Sequence, residues 1–173
     1  PPDATGWAPS LGKLGIFGFY KTSHMNFLRN KNKLPVTVVG GCFNGKYDTS
    51  IMKTLTKGKI RFSDAECWAW KLASKRNGGS IATIANTGLG THAMSDADKN
   101  GVNDYLEILD GWLELRFFKL YNQEQVDVLG ELHSGAIRDY LNTFLCSNDE
   151  MDTKMVQQWQ LFGDPSLKVG GYE

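Results

Sequence analysis

Leu34-Pro-Val-Thr-Val-Val-Gly-Gly-Cys-Phe-Asn-Gly45 is the stretch that decides the fold. Val36, Thr37, Val38 and Val39 are β-branched and follow one another without polar alternation. Such a run suits a strand covered on both faces, as in a parallel sheet flanked by helices. Gly40 and Gly41 end it, and Cys42 falls where an open α/β sheet presents its active site, at the carboxyl end of a strand. Small residues before a nucleophile let the backbone turn sharply and let a substrate come close. The competing reading is a small buried core cysteine, a common place for a free thiol.

Working outward, Ile51 to Leu55 reads as a short helix. Ser63 and Glu66 form a capping-box pair for a helix over Asp64 to Arg76, stopped by Gly78 and Gly79. Ser80 to Ala85 is a second buried strand, and Asn86-Thr87-Gly88-Leu89-Gly90 continues it. Strand, helix, strand makes a right-handed parallel crossover, which sets this second strand end beside Cys42. Asp104 to Tyr121 and Val126 to Leu145 are two longer helices with apolar faces. Thr153 to Leu161 is a final helix and Leu167 to Val169 a short last strand. Upstream, glycines interrupt Trp7, Phe17, Phe19 and Tyr20, so residues 1 to 33 read as surface coverage with one extended piece at Ile16 to Phe19. Arg29, Lys31 and Lys33 alternate with asparagines in a solvated, turn-prone connection.

The chain has 173 residues, enough for one domain with a real core. Lys plus Arg and Asp plus Glu are both 19, so no global field attracts nucleic acid or an anionic membrane. No apolar run approaches the roughly 18 residues that span a bilayer. Cys42, Cys67 and Cys146 are too few and too far apart for a disulfide scaffold or a zinc site, and a Cys67–Cys146 pairing stays open. Three strands are thin for a covered α/β sheet, whose mean is roughly five or six. With Pro1 in place of methionine, the expectation is the carboxyl-terminal part of a larger domain that lacks strands on its amino-terminal side.

Asp96-Ala-Asp98-Lys-Asn100-Gly101-Val102-Asn103-Asp104-Tyr-Leu-Glu107 fits the twelve-position calcium loop of the EF-hand at every diagnostic place. Side-chain oxygens fall at positions 1, 3, 5 and 12, glycine at 6 and Asp104 at 9, with the Val102 carbonyl at 7. The competing reading is a solvated acidic turn that caps the next helix. No helix precedes the loop, so it departs from a paired EF-hand. It is similar instead to the calcium loops of thrombospondin type 3 and dockerin repeats, which are extracellular. An isolated loop binds Ca2+ weakly, and millimolar calcium outside cells would fill it. An extracellular or cell-surface location is the expectation.

A cysteine nucleophile needs a base, because the thiolate is the reactive form. His24 lies too close before the strand to end a preceding parallel one, since a crossover takes a dozen or more residues. His133 sits inside a helix and reads as structural. His92 follows the second strand end by a short loop, and of the three it is the one placed near Cys42.

GGCFNG, a helix with CWAW, IATIANTGLG and WQLFGDPSLKVGGY are similar, in this order, to gingipain-like cysteine peptidases. The similarity covers most of residues 34 to 90 and 126 to 172. It implies a caspase-like α/β three-layer sandwich with a mainly parallel sheet, and Cys42 as the catalytic nucleophile. The family's catalytic histidine, commonly in a His-Gly pair, follows the strand before the cysteine. This chain has no His-Gly, so the resemblance puts that base upstream of Pro1 and makes the isolated chain inactive. Asn86 and Thr87 match the family's specificity-pocket wall; the plain alternative is that they end the strand. The expected partners are a protein or peptide substrate and the upstream part of the same catalytic domain. The rival function is a non-catalytic, calcium-ordered binding module on the same fold.

Overall fold

The two unbroken apolar runs become neighbouring parallel strands. In the computed structural model, which describes residues 6–7, 20–48, 66–93, 95–144 and 149–171, β3 spans Val36–Val39 and β4 spans Ala82–Asn86. Val36 pairs with Ala82 and Val39 with Ala85, in parallel. A short antiparallel pair precedes them, β1 (Gly6–Trp7) with β2 (Tyr20–Lys21), followed by a 3-10 helix, Thr22–Phe27. Helix α1 (Trp68–Ala73) lies between β3 and β4. After β4 come α2 (Asp104–Glu107), α3 (Leu109–Gln123), α4 (Leu129–Thr143), α5 (Glu150–Gln158) and β5 (Trp159–Phe162). The sheet order is β3-β4-β5, with β5 antiparallel to β4.

Every residue of β4 is buried, as an apolar run without alternation requires when both faces are covered. On one face Ala82, Ile84 and Trp159 pack with Leu113, Phe117 and Leu120 of α3, Leu132, Ala136 and Tyr140 of α4, and Met155 of α5. On the other, Ala85 packs with Cys67 and Ala69, while Val39 packs with Met25, Trp68 and Leu72. Helices on both faces of a small sheet give the three-layer α/β arrangement. Trp159 anchors the larger core: it is fully buried, meets Phe117 edge-on at 6.4 Å and stacks on the His133 ring at 5.0 Å.

Several expectations from the sequence are corrected here. The three-strand sheet fits the expected caspase-like α/β class, and it carries one antiparallel strand because Trp159 to Leu161, read as the end of a helix, belong to β5. That helix is Glu150–Gln158, and it begins where the Asp149 carboxylate accepts the Met151 and Asp152 amides at 2.7 and 3.3 Å. Leu167 to Val169 contributes only an isolated bridge, Val128 with Lys168. The helix expected over Asp104 to Tyr121 is two helices, broken where Ile108 is extended and Leu109 takes a φ of 58°. The break lets the first turn fold back on the second, and a Cβ at Gly111 would lie 1.8 Å from the Tyr105 carbonyl oxygen. Helix α1 starts at Trp68 with Cys67 as N-cap, and Glu66 pairs with Lys71 at 2.6 Å. Within the basic connection, Asn30 is structural: its side-chain amide accepts from the Gly79 N–H at 2.7 Å and donates to the Gly79 carbonyl at 2.8 Å. The helix at Ile51 to Leu55, the cap at Ser63, the piece at Ile16 to Phe19 and Cys146 lie outside the described residues. No described helix is long and apolar enough to cross a membrane.

Candidate active site

The strand β3 runs out at Val39, and Gly40 and Gly41 carry the chain into the turn that holds Cys42. Two backbone bonds tie the far side of this turn to the continuation of β4. The Phe43 N–H donates to the Gly88 carbonyl at 2.7 Å and the Gly45 N–H to the Asn86 carbonyl at 2.8 Å. Phe43 sits in the left-handed region with a φ of 58°. Cys42 is half-buried, and its Sγ lies 3.7 Å from the Gly90 carbonyl oxygen. No group among the described residues accepts from the Cys42 N–H. The other described thiol, Cys67, is buried, which pushes its pKa up and keeps it un-ionised.

Behind the turn lies a buried polar cluster. His92 Nε2 is 2.6 Å from the Gly40 carbonyl oxygen and 4.0 Å from Asp110 Oδ2. Asp110, fully buried at the start of α3, accepts from Asn86 Nδ2 at 3.0 Å and from the Thr91 N–H at 2.9 Å. Tyr105 stands 5.2 Å from the His92 ring and donates its hydroxyl to Glu114 Oε2 at 2.9 Å. Burial pushes the Asp110 carboxyl up to about 6 and raises the Glu114 carboxyl as well. It also raises the Tyr105 hydroxyl, which stays protonated and able to donate.

The expected site residues are therefore only partly brought together. His92 lies beside the Cys42 turn, yet it bonds Gly40 and not the sulfur. His24 lies in the 3-10 helix and accepts from the Lys21 N–H at 3.3 Å. His133 is held in α4 against the Trp159 carbonyl at 3.0 Å, and burial lowers its pKa. Among the described residues, no histidine hydrogen-bonds Cys42. Asn86 is fully buried with its amide turned to Asp110, so its side chain stands behind the turn rather than on an open wall. Thr87 is half-buried, and its N–H donates to the Gln158 carbonyl at 2.9 Å. Two concavities, of about 650 Å³ beside Leu106, Trp112 and Arg116 and of about 590 Å³ beside Arg29 and Lys75, are not lined by Cys42.

Asp110, Glu114 and Tyr105 are site residues to which no sequence motif assigns a role. A signal was there: Asp110 and Glu114 are four apart, on the helix face that also carries Leu113 and Phe117. Two acids on an apolar stripe mark buried carboxylates.

The loop from Asp96 to Glu107 is folded around its acidic side chains. Carboxylate oxygens of Asp96, Asp98 and Asp104 lie within 4.8 Å of one another. Asp96 accepts the Asn100 and Gly101 amides at 2.9 and 3.1 Å, and Asp104 accepts from Ala97 and Ser95. The Asn100 side-chain amide donates to Asp98 Oδ2 at 3.0 Å and to Glu107 Oε1 at 2.9 Å, which draws Glu107 to the same cluster. Val102 donates its N–H to Asn100 Oδ1 at 2.7 Å. Gly101, at the sixth position, has a φ of 87° with open space around it. This donor set contains oxygen only, with carboxylates already convergent, and it fits a hard cation such as Ca2+.

No curated protein and no solved structure matches the chain. The model of one family, Peptidase family C25, matches residues 3–170. That span takes in the Cys42 turn, the buried cluster behind it and the acidic loop, and so the chain belongs to peptidase family C25, the gingipain family of cysteine peptidases.

Proposed function

We propose that this chain carries the nucleophile of a gingipain-like cysteine endopeptidase, and that the nucleophile is Cys42. The carrying observation is its position: a half-buried thiol after two glycines, at the carboxyl end of a parallel strand, beside an amide with no acceptor of its own among the described residues. The Cys42 thiolate attacks the scissile carbonyl of a protein or peptide substrate to give an acyl-enzyme. The Cys42 N–H donates to the oxygen that becomes negative. Neither His24 nor His133 is placed to protonate the leaving amine, and His92 Nε2 is engaged by Gly40. The base therefore comes from outside the described residues, in keeping with the family's upstream histidine.

The reading extends to one structural calcium ion held by Asp96, Asp98, Asn100, Asp104 and Glu107 with the Val102 carbonyl. When bound, the ion neutralises the convergent carboxylates and orders the start of α2, and it takes no part in bond cleavage. A loop of this kind standing alone binds at the weak end of the calcium range. An extracellular or cell-surface location follows from that weakness.

The test is hydrolysis of a peptide library by the natural polypeptide that contains this chain, against its Cys42→Ala variant. Turnover should fall by more than about a thousandfold in the variant. A peptidyl electrophile should label Cys42 and leave Cys67 unmodified. Undiminished turnover in Cys42→Ala would refute the assignment. A wild type that binds peptides without cleaving them would favour the binding module.

A further inference from the structure

We propose that His92 is a positioning residue, a strap that fixes the Gly40 carbonyl and thereby the Cys42 turn, with Asp110 beside it and Tyr105, anchored on Glu114, against its ring. The proposal rests on Cys42 as nucleophile and adds residues that no motif assigns.

The tautomer follows from the partner. A carbonyl oxygen only accepts, so the His92 Nε2 that lies 2.6 Å from the Gly40 oxygen carries the proton. The Asp110 carboxylate lies 4.0 Å from the same nitrogen, and Asn86 and Thr91 keep the carboxylate still. With Nε2 as the donor, Nδ1 is left buried and without a partner among the described residues. A histidine so arranged is a donor to the backbone rather than a base for the sulfur.

The packing leaves the strap little freedom. A Cβ built on Gly40 would lie 2.1 Å from Glu114 Oε1 and 3.0 Å from His92 Cε1, so carboxylate and imidazole close on this residue together. Tyr105 covers the ring and holds the other oxygen of Glu114. The cluster is also poorly satisfied: Asn86 Oδ1, Asp110 Oδ1 and Glu114 Oε1 are buried without partners among the described residues, like His92 Nδ1. Apolar residues of similar size would pack this layer with less desolvation, so its polar make-up points to a role beyond packing.

That role lies two residues on. His92 fixes the near side of the turn at Gly40, and the bonds of Phe43 to Gly88 and of Gly45 to Asn86 fix the far side. Cys42 sits between these anchors with its N–H unpaired among the described residues. A donor held still before the reaction is what stabilises a developing oxyanion, because no reorganisation remains to be done.

The test uses His92→Phe, which keeps a ring and removes the donor, and His92→Gln, which restores an N–H donor. Amide hydrogen exchange is read at Phe43 and Gly45, with Ile84 in β4 as the core reference. In His92→Phe the two turn amides should exchange at least about tenfold faster, with Ile84 unchanged and His92→Gln close to wild type. Peptidase assays on the natural polypeptide should show kcat down by about tenfold to a hundredfold in His92→Phe, KM within about twofold, and recovery in His92→Gln. Unchanged exchange at Phe43 and Gly45, or an equal rise at Ile84, would overturn the strap. So would a His92→Gln as inactive as Cys42→Ala, which would make the imidazole the base. The exchange pattern in a wild type without turnover would support the strap and refute the peptidase reading, so the two fail separately.

Discussion

Replacing Asp110 with asparagine should make the folded protein more stable at neutral pH, and the gain should vanish in acid. Asp110 is fully buried, and desolvation raises its carboxyl from 3.8 to about 6 despite the Thr91 N–H, His92 and Asn86 that favour the anion; Glu114 adds a like charge from the next turn of α3. The folded state therefore holds this proton more tightly than the unfolded chain. Its contribution is complete below about pH 3.8 and is lost as pH rises through about 6. A difference of roughly two pKa units is worth about 3 kcal/mol once both states are ionised. The substituted side chain would keep the geometry, since one amide oxygen accepts from Asn86 and Thr91 as Oδ2 does now, and it would carry no charge to desolvate. Urea unfolding followed by tryptophan fluorescence, from about pH 4 to about pH 7, measures the difference between the two proteins. That difference should grow by about 2.4 kcal/mol across the range in favour of Asp110→Asn. A flat difference, or one that moves towards the wild type with rising pH, would show that Asp110 is ionised at little cost and that the cluster is better solvated than its burial says.

Calcium at a hundredfold excess over Kd should stabilise the chain by about 2.7 kcal/mol and raise Tm by about 5 to 10 °C over a chelated sample. Asp98→Asn should lose that shift. Equal midpoints with no calorimetric binding signal would reduce residues 96 to 107 to an acidic turn. Gly40→Ala should destabilise by about 1 to 3 kcal/mol, because the new methyl meets the Glu114 carboxylate and the His92 ring. Denaturant midpoints check this, and an unchanged midpoint would mean that the cluster yields freely.

The sequence by itself determined the features that rest on local pattern. Val36 to Val39 and Ala82 to Asn86 lack polar alternation, and both are strands of a sheet covered on two faces. Glycines stop the first strand and leave Cys42 at its carboxyl end. The family, too, was legible in GGCFNG and LFGDPSL, and the fixed spacing of oxygens from Asp96 to Glu107 is a property of one loop. Tertiary structure decided the rest. Trp159 to Leu161 reads as a helix end, and it is part of a strand because the edge of β4 offers backbone partners that no local preference reveals. The break at Ile108 and Leu109 lets Tyr105 fold back against Gly111 and reach Glu114, contacts that lie outside local pattern. His92, Asp110 and Asn86 come from a loop, a helix and a strand end that are far apart in the chain. Their partnership under Gly40 depends on how those elements pack, and burial, with the like charge of Glu114, gives Asp110 its raised pKa, which no stretch of sequence specifies.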